Sequence, residues 1–112
     1  MSGNDKPLVW LHTELRSPPL SDVARRQAGL LLRMVQQGEV LVMPDSRPMP
    51  VVGARCHELR VSDRDADWRV IYRIDHDCIL VANIFQKASR TTRQSDIELA
   101  QRRLRDHDRY ED

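Results

Sequence analysis

The stretch from Asp67 to Asp75 constrains the fold more than any other part of the chain. It reads Asp-Trp-Arg-Val-Ile-Tyr-Arg-Ile-Asp, with Trp68, Val70, Tyr72 and Ile74 at every second position and Arg69, Ile71 and Arg73 between them. A period of two belongs to a strand, whose successive side chains point to opposite faces. One face is apolar and suited to packing against helices. The other carries two guanidiniums, and burying such charges without partners is costly. That second face is either wet or meets an anion. The competing reading is cross-strand ion pairing, with Arg60 or Arg69 opposite Glu58 or an aspartate.

The flanking segments extend this strand into a sheet. Cys56 to Ser62 alternates His57, Leu59 and Val61 against Cys56, Glu58 and Arg60, and Cys78 to Lys87 is almost wholly apolar through Phe85. The second pattern suits a strand covered on both sides. Short polar links at 63–67 and 75–77 predict an antiparallel meander. Earlier in the chain, Leu8 to His12 is a short apolar segment that predicts a first strand or an extended lead-in. Ser17-Pro18-Pro19 punctuates it. A helix should then begin at the N-cap Ser21 with Asp22 in its first turn, bury Ala24, Ala28, Leu31 and Val35 with Val23, Leu30 and Met34 widening the stripe, and stop at Gly38. Pro44, Pro48 and Pro50 make 39–54 an ordered connecting loop. A last helix should start at Ser95-Asp-Ile-Glu98, which has capping-box spacing, and bury Ile97, Ala100 and Leu104. The expected architecture is α+β: a small antiparallel sheet with helices packed on one face.

At 112 residues the chain has room for one core, so we expect a single domain over 6–105 and an acidic tail over 106–112. Apolar residues make up 40% and charged residues 31%, which is globular composition rather than disorder. No apolar run approaches the roughly 20 residues of a membrane helix, and the start lacks the pattern of a secretory signal. Cys56 and Cys78 are too few for a disulfide framework and read as thiols. A cytoplasmic protein is expected. The net charge of +1 conceals an asymmetry: residues 85–105 carry a local +4, through Lys87, Arg90, Arg93, Arg102, Arg103 and Arg105, while the last seven residues carry −3. The basic side is sixteen Arg and only two Lys, and Arg presents a planar fork that fits phosphate and carboxylate.

Most conventional chemistry has no support. His12, His57, His76 and His107 show no ligand spacing, and the cysteines lie too far apart in the chain for a zinc motif, so neither metal nor cofactor is expected. Four scattered glycines make no phosphate loop, and no Ser or Cys sits in a nucleophile motif. His57 points away from Arg60 by parity and reads as a packing residue; Trp10 and Trp68 read as core anchors.

Several segments taken in order are nevertheless familiar: Lys6-Pro-Leu-Val-Trp-Leu, His57-Glu-Leu-Arg60, Trp68-Arg-Val-Ile-Tyr72, Ile84-Phe-Gln-Lys87 and Asp96-Ile-Glu-Leu-Ala-Gln-Arg-Arg-Leu104. Together they resemble the phage-derived, HigB-like branch of the RelE/ParE toxin superfamily, from about Lys6 to Leu104. The resemblance implies a toxin of a type II toxin–antitoxin module, often a ribosome-associated mRNA endonuclease, neutralised by an antitoxin that is often a helix-turn-helix protein. It aligns Arg69 with an arginine of the catalytic cluster, Arg60 with the arginine of the Glu-Leu-Arg strand, and Phe85 and Lys87 with a Phe-x-Lys-Lys pattern whose second lysine is Ala88 here. Arg69, Lys87 and Arg60 are therefore the candidate catalytic residues. Arg73, Arg90 and Arg93 are candidates for attracting RNA. Cleavage by attack of the RNA 2′-OH needs the phosphate held in line and its growing charge stabilised, which a cationic cluster can do. The same superfamily includes toxins that poison protein targets such as DNA gyrase, and a non-catalytic phage-derived partner protein is the third possibility.

Overall fold

The computed structural model describes residues 5–11, 20–88 and 90–111. His12 and the Ser17-Pro18-Pro19 punctuation lie outside the described residues. The elements run β1 (Leu8–Trp10), α1 (Asp22–Gln36), β2 (Ser46–Pro48), β3 (Cys56–Ser62), β4 (Asp67–Ile74), β5 (Ile79–Lys87) and α2 (Gln94–Glu111). They form an α+β fold on one five-stranded sheet of order β1-β5-β4-β3-β2. The β3-β4-β5 meander is antiparallel as expected. The sheet as a whole is mixed, because β1 joins β5 in parallel. β2 forms within the stretch expected to be a loop; it is only three residues long and ends at Pro48, as an edge strand permits.

The two helices do not share a face. Side chains of α1 join Leu59, Val61, Trp68, Val70 and Tyr72 in one core, whereas Ile97, Ala100 and Leu104 of α2 join Cys56, Ile71, Leu80 and Ala82 in another. Strand alternation places these two sets on opposite sides of the sheet. The apolar run in β5 is the sequence counterpart: a strand covered on both faces needs no polar face. α2 therefore lies on the same side as Arg69 and Arg73.

α1 begins as its sequence dictates. Ser21 Oγ accepts from the Ala24 amide at 3.1 Å, and Gly38 ends the run with φ of 95°. The widening of its stripe is different from the expectation. Val23 and Leu30 are exposed, and Leu32 is fully buried in their place, because the buried arc centres on Ala28, Leu31 and Val35 and turns Leu30 outward. α2 starts one residue before Ser95: the Arg93 carbonyl accepts from the Asp96 and Ile97 amides, each at 3.1 Å. Ser95 thus sits in the first turn rather than capping it. The helix also runs on through residues 106–111, the stretch set apart above as an acidic tail.

One irregularity decides which way β5 faces. Ile71 pairs with Asn83 and Tyr72 with Val81, so Ala82 is an extra residue on β5. Such a bulge reverses the parity of everything beyond it. Leu80 and Ala82 pack toward α2, and so does Asn83, whose side chain donates to the Asp96 carbonyl at 3.1 Å. Phe85 and Lys87 follow Asn83 onto that face. Without the bulge Lys87 would share the face of Val81, against α1.

Candidate functional site

Register now assembles residues that the sequence could only suggest as neighbours. Arg60 lies opposite Arg69, Arg69 opposite Phe85, Asp67 opposite Lys87, and Arg47 of β2 opposite Glu58. All of these side chains project from the α2 side of the sheet, near the end where α2 begins. Arg60, Arg69 and Lys87 are therefore brought together, and Arg47 and Glu58 join them.

Glu58 is the centre of this group and has no exposed surface. Its Oε1 accepts from Arg47 Nε at 3.0 Å, and its Oε2 accepts from Thr92 Oγ1 at 2.5 Å. Arg69 Nε stands 3.7 Å from the same Oε1, an ion pair too long to be a hydrogen bond. Arg69 is only 5% exposed, and its Nε has no hydrogen-bond partner. One terminal nitrogen donates to the Trp68 carbonyl at 3.0 Å. A buried cationic donor without a hydrogen bond is costly, so the Arg69 guanidinium is compensated only in part, by Glu58 at ion-pair distance. Burial, followed by the neighbouring Arg60 charge, pulls the Arg69 guanidinium below its ordinary pKa against the pull of Glu58. Burial and then Arg69 do the same to Lys87.

Access comes from the edge of β3 beyond β2. A cleft of about 310 Å³ opens there, lined by Gln27, Pro44, Asp45, Arg60, Ser62, Asp67 and Arg69. The Arg60 amide is tied to the Asp45 carbonyl at 2.8 Å, and Gln27 accepts the Ser62 amide at 3.1 Å. Arg60 itself rests one terminal nitrogen against Met43 Sδ at 3.4 Å. Lys87 is half-buried and makes no ion pair among the described residues. Arg90 and Arg93 are exposed on the turn into α2, and Thr92 in the same turn is bound to Glu58. Phe85, Lys87, Thr92 and Arg93 line one crevice at that corner. Arg93 thus borders the cluster, and Arg90 lies further along the same turn.

Arg73 stands apart from the cluster. It shares a face with Arg69 but lies at the opposite end of β4, on the far side of Ile71. Four hydrogen bonds bind it to two carboxylates: to Asp75 at 2.7 and 2.9 Å, and to Asp108 of α2 at 2.6 and 3.0 Å. These bonds raise its pKa further above the ordinary arginine value. Asp108, through the same bonds, is held below the ordinary carboxylate range. Burial pushes Asp75 up, but Arg73 and Arg55 outweigh it and hold that carboxyl low as well. With four of its five N–H donors engaged by these carboxylates, Arg73 fastens α2 to the sheet away from the cluster.

The remaining candidates behave as packing groups. His57 lies on the α1 side, stacked on Tyr72 with ring centroids 5.4 Å apart, and burial lowers its pKa. The Tyr72 hydroxyl, itself buried, is satisfied by Ser46 Oγ at 2.7 Å. Burial raises the Cys56 thiol, and it takes Cys78, with Asp77 nearby, up to about 11; neither is activated. Among the described residues no three His, Cys, Asp or Glu side chains stand together as a metal-binding group. No helix among them is long and apolar enough to cross a membrane.

Arg47 had no sequence signal, because it lies in the proline-containing stretch and β2 is too short to show alternation. Glu58 was visible as a face-mate of Arg60, but its role as the shared anchor depends on register. No curated protein matches the chain. The family model described as phage-derived protein Gp49-like (DUF891) matches residues 15–105, which contain the whole cationic cluster. The protein thus belongs to the Gp49-like family of phage-derived proteins.

Proposed function

We propose that this protein is the toxin of a type II toxin–antitoxin module, acting as a ribosome-associated mRNA endonuclease without a metal or cofactor. The observation that carries the reading is the gathering of Arg69, Arg60, Arg47 and Lys87 on one sheet face, with Arg60 and Arg69 lining an open cleft. Membership of a phage-derived family is in keeping with a toxin, and a cognate antitoxin, often of helix-turn-helix type, is the partner that follows. The site of action is then the cytoplasm.

The chemistry is that of in-line attack. The 2′-hydroxyl of a ribose gives up its proton to water and attacks the adjacent phosphorus; the bond to the 5′-oxygen breaks and that oxygen takes a proton from water, leaving a cyclic phosphate and a 5′-hydroxyl. Charge grows on the non-bridging oxygens as the phosphorus becomes five-coordinate. Arg69 donates to those oxygens from a site that excludes most water, where such a bond is worth more than in solution. Lys87 and Arg60 hold the flanking backbone, and Arg90 and Arg93 draw the polyanion toward the cleft.

The test is induced expression of wild type and Arg69→Ala with growth measurement and mapping of RNA 5′ ends. Growth arrest with new ends inside coding regions, absent in the variant, supports nuclease action. Arrest with intact transcripts assigns the toxin to a protein target such as DNA gyrase. Unimpaired growth at full expression points to a non-catalytic partner protein.

A further inference from the structure

We infer that Arg47 is a second phosphate-binding residue of this site and that Glu58 is the positioning residue that aims Arg47 and Arg69 together. The inference rests on the RNA-binding reading above and adds to it two residues outside the expected set. Arg47 is anchored by Nε alone. Its Nε meets Glu58 Oε1 at 3.0 Å, while its side chain remains 39% exposed. Its terminal nitrogens make no hydrogen bond or ion pair among the described residues, so the outer edge of the fork is free to bind an anion in solvent. An arginine fixed at one edge has already lost much of the rotamer freedom that binding would otherwise remove.

Glu58 couples this arginine to the others. One oxygen serves Arg47 and faces Arg69, and the other takes the Thr92 hydroxyl from the turn that carries Arg90 and Arg93. A single carboxylate therefore fixes two strands and a turn relative to one another. The charge of Arg47 is felt at both Arg69 and Lys87, which places it within the same field. The ligand class is a ribonucleotide backbone. Arg69 would take one phosphate and Arg47 a neighbouring one.

The full-length protein is titrated into a fluorescent 2′-O-methyl RNA oligonucleotide, which cannot be cleaved, over a series of salt concentrations. Each variant is first checked for folding by thermal unfolding. Arg47→Ala should weaken binding about tenfold at low salt, as loss of a charged hydrogen bond does. It should also reduce the slope of log affinity against log salt by about 0.7, one phosphate on a single strand. Arg47→Lys should keep the slope but lose affinity, because an ammonium cannot hold Glu58 and present a fork at once. Arg109→Ala, at an exposed position in the last turn of α2, serves as the control.

Glu58→Gln tests positioning by the sign of its effect. Removing a negative charge from a basic site should tighten binding to a polyanion if charge alone matters. A positioning role requires weaker binding despite the added positive charge. Tighter or unchanged binding by Glu58→Gln overturns the role of Glu58. Wild-type binding with an unaltered slope in Arg47→Ala overturns the role of Arg47 while leaving the RNA reading intact. Absence of wild-type binding overturns both the inference and the RNA reading.

Discussion

Arg69 and Arg73 sit on the same strand and the same face, on either side of Ile71, and the sheet treats them in opposite ways. Arg73 is bound by two carboxylates through four hydrogen bonds. Arg69 has one carboxylate at 3.7 Å, shares it with Arg47, and keeps a buried Nε without a hydrogen bond. Both are largely buried guanidiniums, so burial does not distinguish them. The difference lies in how completely each is compensated. A compensated buried charge is a fastener; an under-compensated one keeps a cost that a bound anion would relieve. The fastener also serves the site, since it holds down the far end of the helix whose first turn borders the cluster.

Exchanging the roles of the two arginines is the sharpest way to break this comparison. Arg69→Ala should lower RNA cleavage by about 10²-fold or more, by analogy with loss of one oxyanion donor, with little loss of fold stability. Arg73→Ala should do the reverse. Unfolding in urea should show a loss of about 2 kcal/mol, smaller than for a fully buried pair because Asp108 is half exposed, with cleavage per folded molecule nearly unchanged. Equal effects of the two substitutions on cleavage would erase the distinction.

The pH dependence separates the two ends further. Asp75 and Asp108 have native pKa values below the ordinary range, so each binds protons less readily folded than unfolded. Their contribution is present above the unfolded carboxylate value of about 4 and disappears as pH falls through the lower native values. Urea midpoints measured downward from about pH 5 should fall more steeply in wild type than in Arg73→Ala. Arg69→Ala should keep the wild-type steepness.

Smaller effects sharpen the cluster itself. Thr92→Val removes the hydroxyl from Glu58 Oε2 and should cost about 1 kcal/mol in urea unfolding, with the turn carrying Arg90 and Arg93 loosened. Ala88→Lys places a lysine on an exposed position next to Lys87. It should steepen the salt dependence of RNA binding by about 0.7 or less, with no change in stability. A loss of RNA affinity in that variant would indicate that the turn cannot follow the bound strand.

Much of the framework was legible because it follows from nearest-neighbour geometry. The α1 stripe, its Ser21 cap and its Gly38 stop are set by the turn of a helix and the conformational freedom of glycine. Other features escaped, the placing of the two helices on opposite faces among them. The start of α2 moved because Ser95 matches a cap motif that the chain does not use. Leu32 replaced Leu30 in the core because the buried arc depends on where the sheet lies. β2 emerged from a proline-containing stretch because pairing with β3, rather than its own propensity, makes it a strand.

Alternation alone put Arg69 and Arg73 on one face opposite Trp68, Val70, Tyr72 and Ile74, since a strand turns each side chain over from the last. Which arginine became a clasp and which was left only partly compensated was decided by tertiary structure. The bulge at Ala82 turned Lys87 toward Arg69, and α2 delivered Asp108 to Arg73 across 35 positions of sequence. Compensation of a buried charge depends on what the rest of the chain brings within hydrogen-bond reach, and that is a property of packing rather than of local sequence.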